Sequence, residues 1–329
     1  VADFLFKERD SSTLLIGKGV IGKEGQENGD LLFHARPFSQ EIPSTFCVQK
    51  VRREPWSESL VARPYSWTAP HIVRHLPEKS IWREQVTAAL QHIKQGLFEK
   101  VVLARKTELK WDIAPDPLQL FHYMASRSAN THLYMVKQKK AIWMGASPEL
   151  LYRRQGRHIE VECVAGTALD PSLLQEKEHR EQRPVEQMMR QRLAPFCRGE
   201  LLSSPLKACQ AGPLYHLAQK IEGELSANTT DGTTDEMLLA ALHPTPAVAG
   251  HPRDAALSFL SETEPFSREL YAGVIGWQSR DAASFVVMLR CLKLMGNRGE
   301  LFAGVGIVAG SDPDAEWEEL ERKIGIWTL

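Results

Sequence analysis

The sequence predicts an α+β fold in which a mixed or antiparallel, sandwich-like β core is flanked by helices. Three observations carry that prediction. Short apolar runs bounded by turn residues recur along the chain, strand-like and helix-like patterns follow one another without regular alternation, and the chain returns to strands over residues 271–307 before one last helix. Regular β-α alternation would instead have announced a doubly wound parallel sheet.

Residues 1–80 mix short apolar runs such as Thr13-Leu14-Leu15-Ile16 and Leu31-Leu32-Phe33 with turn formers, and read as a strand-rich part of the fold without a chemical motif. Residues 81–329 carry the patterns with chemistry in them. Over residues 80–98, Ile81, Val86, Ala89, Leu90 and Ile93 recur at helical spacing up to Gly96. A strand is expected at 100–105, a helix at 117–125, and a hairpin in which 133–136 and 141–145 turn through 137–140. Strands dominate again from 149 to 164. Residues 173–193 are charged and helical in pattern, and Pro184 should kink that helix or mark its true start, because proline removes an N–H and clashes with the preceding turn. Residues 215–224, 234–242 and 253–260 read as helices or helical turns.

The tail is the most informative stretch. Phe285-Val286-Val287-Met288-Leu289 reads as a buried strand ending in Arg290, a guanidinium that needs an anionic partner there. Gly304 and Gly306 interrupt the apolar run 302–308, where glycine weakens a strand unless something must approach the backbone closely. Asp312 and Pro313 then form a helix-start signal. Helical spacing puts Glu316, Glu319 and Lys323 on one face. Taken alone, that face also suits a solvated helix with Glu319 paired to Lys323. Beside Arg290 and the glycines, it suits an anion-and-metal site: a hard divalent ion such as Mg2+, held by one or two carboxylates and a substrate anion, reconciles acidic and basic groups in one place.

Composition narrows the partners. The 329 residues carry 40 Lys and Arg against 41 Asp and Glu, a net charge of −1 with the signs interspersed, so neither a nucleic-acid footprint nor a polybasic membrane patch is expected. The partner is expected to be a small molecule. Cys47, Cys163, Cys197, Cys209 and Cys291 form no CxxC pair, which fits a reducing compartment rather than a disulfide frame or a zinc site. With no long uncharged apolar stretch, no signal-like start and no exposed apolar stripe, the expectation is a cytoplasmic monomer.

Several local motifs, taken in order, resemble one family. They are 100–105 (KVVLAR), 145–151 (GASPELL), 165–167 (AGT), 176–181 (EKEHRE), 242–248 (LHPTPAV), 264–269 (EPFSRE) and the tail from Arg290 to Lys323. Together they resemble an isochorismate synthase of the chorismate-utilising superfamily, with 81–329 as the chorismate-binding catalytic core. The resemblance implies an isomerase that adds water to one ring carbon of chorismate while a hydroxyl leaves from another. It implies Lys100 as the general base and Glu149 as the general acid. It points to Mg2+ held directly by Glu181 and Glu319, with Glu178 and Glu316 nearby through water. It places Arg290, Gly304 and Lys323 at the enolpyruvyl carboxylate, His216 beside the substrate, Gly166 and Thr167 near the reacting hydroxyl, and Thr245 and Ala247 in the substrate loop.

The chain also departs from the family pattern. Gln182 follows Glu181 where the family often has His, and Pro184 comes soon after; Ala168-Leu169-Asp170 stands where basic residues are common. Lys100 favours water as the nucleophile over the amine of anthranilate synthases, and Ala165 stands where aminodeoxychorismate synthases carry a lysine. The segment 243–248 resembles the isochorismate branch rather than the salicylate one. A salicylate synthase of the same superfamily, or a non-catalytic chorismate binder, are the alternatives. The motifs 268–273 and 310–317 resemble the menaquinone branch slightly more than the siderophore branch.

Overall fold

Every strand pairing among the described residues is antiparallel, and the pairings form one long ribbon folded into two arms. The computed structural model describes residues 3–21, 31–39, 45–56, 68–226, 233–325 and 327. The chain begins with β1 (Phe4–Lys7), β2 (Thr13–Ile21), β3 (Leu32–Arg36), β4 (Thr45–Pro55), β5 (His71–Leu76) and helix α1 (Lys79–Lys94). It continues through β6 (Lys100–Lys110), α2 (Pro117–Ser126), β7 (His132–Gln138), β8 (Ala141–Ser147), β9 (Leu150–Gln155), β10 (His158–Ala168) and α3 (Glu176–Leu193). Next come β11 (Cys197–Ser203), β12 (Lys207–Ala211), β13 (Leu214–Leu225), α4 (Thr233–Leu242), β14 (Gly250–His251) and α5 (Arg253–Thr263). The last elements are β15 (Val274–Gln278), β16 (Ala282–Val287), β17 (Cys291–Met295), β18 (Arg298–Ile307) and α6 (Pro313–Ile324).

One arm runs β5-β6-β18-β17-β8-β7-β1. The other runs β3-β15-β16-β9-β10-β13, with β11 and β12 both on β13. β2 and β4 join the two. Period-two alternation decides which core each residue enters. Phe4 and Phe6 of β1 enter a core shared by both arms and by α3 and α4, whereas Leu5 between them enters a second core under α1, α2, α5 and α6. On β6, Val101 and Leu103 face those helices. Lys100 and Val102 are thereby turned to the other face.

The helices form for local reasons the sequence states. Asp116 accepts from the backbone N–H groups of Leu118 and Gln119 with Pro117 next to it, and Asp312 does the same for Asp314 and Ala315 before Pro313-led α6. In α1 the buried stripe is Trp82, Gln85, Val86 and Ala89, with Ile81 exposed. Helix α3 begins at Glu176 and runs through Pro184 to Leu193, so the proline is not its start.

One element differs in kind. Residues 215–224 form the strand β13, not a helix, and β13 pairs with β10, β11 and β12. Leu217, Ile221 and Leu225 recur every four residues, a spacing that satisfies a helix face and one face of a strand alike. Three available partner strands settle it for the strand. Arg290 also lies outside its expected strand: it follows β16 in the turn to β17 with a φ of 49°.

A buried ion pair ties β9 to α4. Arg154 Nε and Nη2 donate to the two oxygens of Asp235 at 3.0 and 2.7 Å, and Tyr152 Oη donates to Asp235 Oδ1 at 3.0 Å. Removing Asp235 would leave a guanidinium that is 4% exposed with only the backbone carbonyls of Gly156, Ser279 and Arg280 as partners and no opposite charge. Asp235→Ala is therefore expected to cost about 3–5 kcal/mol, read as a lowered urea midpoint.

Candidate active site

Where β6, β18, the β8–β9 turn and the β10–β13 pair converge, they line a pocket. Its wall includes Lys100, Glu149, Gly166, Thr167, Glu181, His216, Ala247, Arg290, Gly304 and Lys323, residues brought from across the sequence. Lys100, at the start of β6, is 1% exposed rather than facing water. Its Nζ donates to the backbone oxygen of Glu181 at 3.0 Å and lies 3.8 Å from Glu181 Oε2. Gly306 makes that approach possible, since a Cβ there would come within 2.6 Å of Glu181 Oε2 and 2.8 Å of Lys100 Cε. Burial lowers the Lys100 amine below its ordinary pKa against the pull of Glu181, and Lys323 lowers it further.

Glu149 sits in the Ser-Pro turn between β8 and β9, and is buried. Thr245 Oγ1, itself the acceptor for Ala247 N, donates to Glu149 Oε1 at 3.2 Å. Burial pushes the Glu149 carboxyl up to about 8, with Thr245 and Lys100 opposing. This carboxyl is consequently protonated at neutral pH, poised to give a proton.

A register shift between β10 and β13 at residues 165–168 takes Gly166 and Thr167 out of the ladder. The freed Gly166 carbonyl accepts from His216 Nδ1 at 2.8 Å, which leaves His216 Nε2 to accept from Arg290 Nη2 at 2.6 Å. Burial and then Arg290 depress His216 to about 3, so the ring is neutral in this arrangement. Arg290 Nη1 donates to Ala211 O at 2.8 Å. Among the described residues no carboxylate pairs with this buried guanidinium, and burial lowers its pKa to about 10. It is a positive charge facing a cavity with only neutral partners, an arrangement that favours an anion.

Helices α3 and α6 bring acidic groups to the cavity edge. Lys323 Nζ donates to Gly304 O and to Glu319 Oε1, both at 2.8 Å. Glu181, Glu316 and Glu319 surround the ammonium of Lys177, whose Nζ is 3.6, 2.8 and 3.8 Å from them. Burial raises Glu181 to about 7 and also raises Glu316; burial tends to raise Glu319 as well, but Lys323 and Lys177 hold it below the usual range. Glu178 is not part of this ring. Its carboxylate turns back to accept from Gln175 N at 2.8 Å, capping α3.

Among the described residues no group of three carboxylate, imidazole or thiolate side chains is gathered tightly enough to cage an ion. The donor set nevertheless fits a hard divalent cation: it is all oxygen, it comes from two helices, and neither oxygen of the buried Glu316 accepts a well-formed hydrogen bond. The lysine ammonium at its centre marks where positive charge is required.

Most of this wall is legible in the sequence, and part of it is not. Tyr271, Leu289 and Phe302 line the cavity as apolar or aromatic residues with no signal beyond a buried strand. Lys177 was legible in principle, since it stands four residues before Glu181 on one helix face.

The chain matches the family model described as chorismate binding enzyme over residues 47–326. It is 37% identical over 273 residues to the isochorismate synthase MenF of Escherichia coli (strain K12), covering 78% of this chain and 61% of that protein's length. It is 30% identical over 328 residues to the isochorismate synthase DhbC of Bacillus subtilis (strain 168), covering 92% of this chain and 80% of that protein. The solved structure of MenF, described as the menaquinone-specific isochorismate synthase from Escherichia coli, superposes with a TM-score of 0.86 at 26% identity, over 99% of this chain and 88% of that one.

Glu149 also makes stability depend on pH. Its folded value lies above the ordinary carboxyl value of 4.5, so the stability it contributes is complete below about 4.5 and is lost as pH rises through about 8. Glu149→Gln is expected to match the parent protein in melting temperature near pH 5 and to exceed it above pH 8, a gap that differential scanning calorimetry across pH would read.

Proposed function

The chain belongs to the family of chorismate binding enzymes, matched over residues 47–326, and from that premise we propose that it is a magnesium-dependent isochorismate synthase. One observation carries the reading: Lys100 and Glu149 line the same cavity, and burial moves each toward its neutral form. A neutral amine accepts a proton and a neutral carboxyl gives one. In this reading Lys100 takes a proton from water as the water oxygen bonds to one ring carbon of chorismate. Glu149 protonates the hydroxyl departing from another, which leaves as water. One water enters and one leaves, and the two side chains return to their starting states by exchanging a proton through solvent.

Binding follows from the remaining charges. Chorismate is a dicarboxylate, and Arg290, lacking a carboxylate partner among the described residues, would hold the enolpyruvyl carboxylate with the Gly304 backbone and Lys323. His216, fixed as the Nδ1–H tautomer by Gly166, orients Arg290. Gly166 and Thr167 would lie near the hydroxyl that reacts, and Thr245 with Ala247 would position the acid. Glu181 and Glu319, with Glu316, would hold Mg2+, which when bound neutralises the ring carboxylate. Residues 81–329 form the catalytic core in this reading, with the strands β1–β5 completing its sheets.

The test is incubation of the purified protein with chorismate, with and without MgCl2 and ammonium, followed by chromatography. Isochorismate formed only with Mg2+ and indifferent to ammonium is the expected result. Salicylate with pyruvate would move the assignment to a salicylate synthase, an aminated product to an amine-transferring enzyme, and magnesium-dependent binding without product to a binder.

Lys100→Ala is expected to lower turnover by roughly 10²–10⁴-fold, the usual contribution of a positioned base, while magnesium-dependent chorismate binding in equilibrium dialysis is largely kept. Retained turnover would remove Lys100 from the base role.

A further inference from the structure

Three buried carboxylates meet at the edge of the cavity, and the cation between them is a side chain. Glu316 is 1% exposed with neither oxygen accepting a well-formed hydrogen bond, and Glu181 and Glu319 are nearly as buried. Such groups repel one another and need a positive charge among them. The nearest ammonium to Glu316 is Lys177, at 2.8 Å, with Glu181 and Glu319 within 4 Å of the same nitrogen. From this geometry we propose that Lys177 is a placeholder cation: its ammonium fills the acidic ring when no divalent ion is bound and swings out when one enters. The inference rests on the magnesium site proposed above and adds to it the device that keeps that site intact while empty.

The surroundings of Lys177 separate it from the other lysines of the site. Lys100 and Lys323 are each tied to a backbone carbonyl as well, Glu181 O and Gly304 O, which fixes them to the walls. The contacts of the Lys177 ammonium are with carboxylates on two helices. Its side chain is 30% exposed, against 1% for Lys100 and 17% for Lys323, so it has a way out to solvent. Helix propensity does not explain its position. Lys177 is in the first turn of α3, where the positive end of the helix dipole disfavours an ammonium. The ring supplies the reason.

An ion entering the ring must therefore displace a tethered charge, and affinity reflects an exchange rather than filling of a vacancy. The placeholder weakens metal binding and steadies the metal-free protein. Lys177→Met, titrated with MgCl2 in a calorimeter, is expected to bind Mg2+ about tenfold more tightly than the parent protein. In EDTA the variant should melt at a lower temperature than the parent, and MgCl2 should raise its melting temperature by more. A second measurement uses the parent protein alone: brief acetylation followed by peptide mass spectrometry should find Lys177 protected without metal and labelled severalfold faster with MgCl2. Equal or weaker Mg2+ affinity in Lys177→Met, or labelling of Lys177 unchanged while Mg2+ is bound, would overturn the placeholder and leave the metal site standing. Mg2+ binding to neither protein would instead sink the metal site itself.

Discussion

Burial of ionisable side chains around one pocket is the constraint on which the rest of the site depends. Lys100, Glu149, Glu181, His216 and Arg290 are all buried around it, and a buried charge is costly unless it is neutralised, paired or solvated by dipoles. Each residue meets that cost differently. Glu149 keeps its proton, His216 stays a neutral tautomer, and Arg290 keeps its charge against neutral oxygen and nitrogen acceptors. The carboxylates of α3 and α6 share lysine ammonium groups. In water each of these groups would hold its ordinary charge; the shifted states of Lys100, Glu149 and His216 come from burial in the wall.

Holding those states requires a rigid frame, and buried ion pairs outside the cavity supply part of it. Arg268 bonds bidentately to Glu264 and also donates to the carbonyls of Val102 and Val248, while Glu264 accepts from Ala104 N. Val102 is two residues from Lys100, and Val248 follows the Thr245–Ala247 loop that positions Glu149. One guanidinium thus fixes the distance between the strand of the amine and the loop behind the acid. The motif 264–269, which carried family resemblance without an assigned role, has this physical one.

Much of the site was legible because its residues announce themselves against their local pattern. Glycines inside an apolar strand, a guanidinium after an apolar run, and paired carboxylates three apart all conflict with a purely structural reading, and Gly306, Arg290, Glu316 and Glu319 are in the site for that reason. The element carrying His216 is ambiguous in the sequence because apolar residues every four positions serve a strand as well as a helix, and only its neighbours β10, β11 and β12 decide. Glu178 carries the same side chain as Glu181, yet which of them caps the helix and which faces the ring depends on the rotation of α3. Tyr271 and Phe302 carry no local anomaly, so their place on the wall follows from packing alone.

The pairing of β6 with β18 sets Val101 beside Ile307, so the two strands forming one wall lie far apart along the chain. During synthesis the strand bearing Lys100 emerges long before its partner, and the helix that delivers Glu319 and Lys323 emerges later still. Until then one edge of β6 lacks the strand that will cover it, an edge open to pairing with other chains. Distant pairings of this kind are also slow to close. A chain extended only to residue 297 would hold its amine, its acid and one of the three ring carboxylates, Glu181, without the strand and the helix that complete the pocket around them.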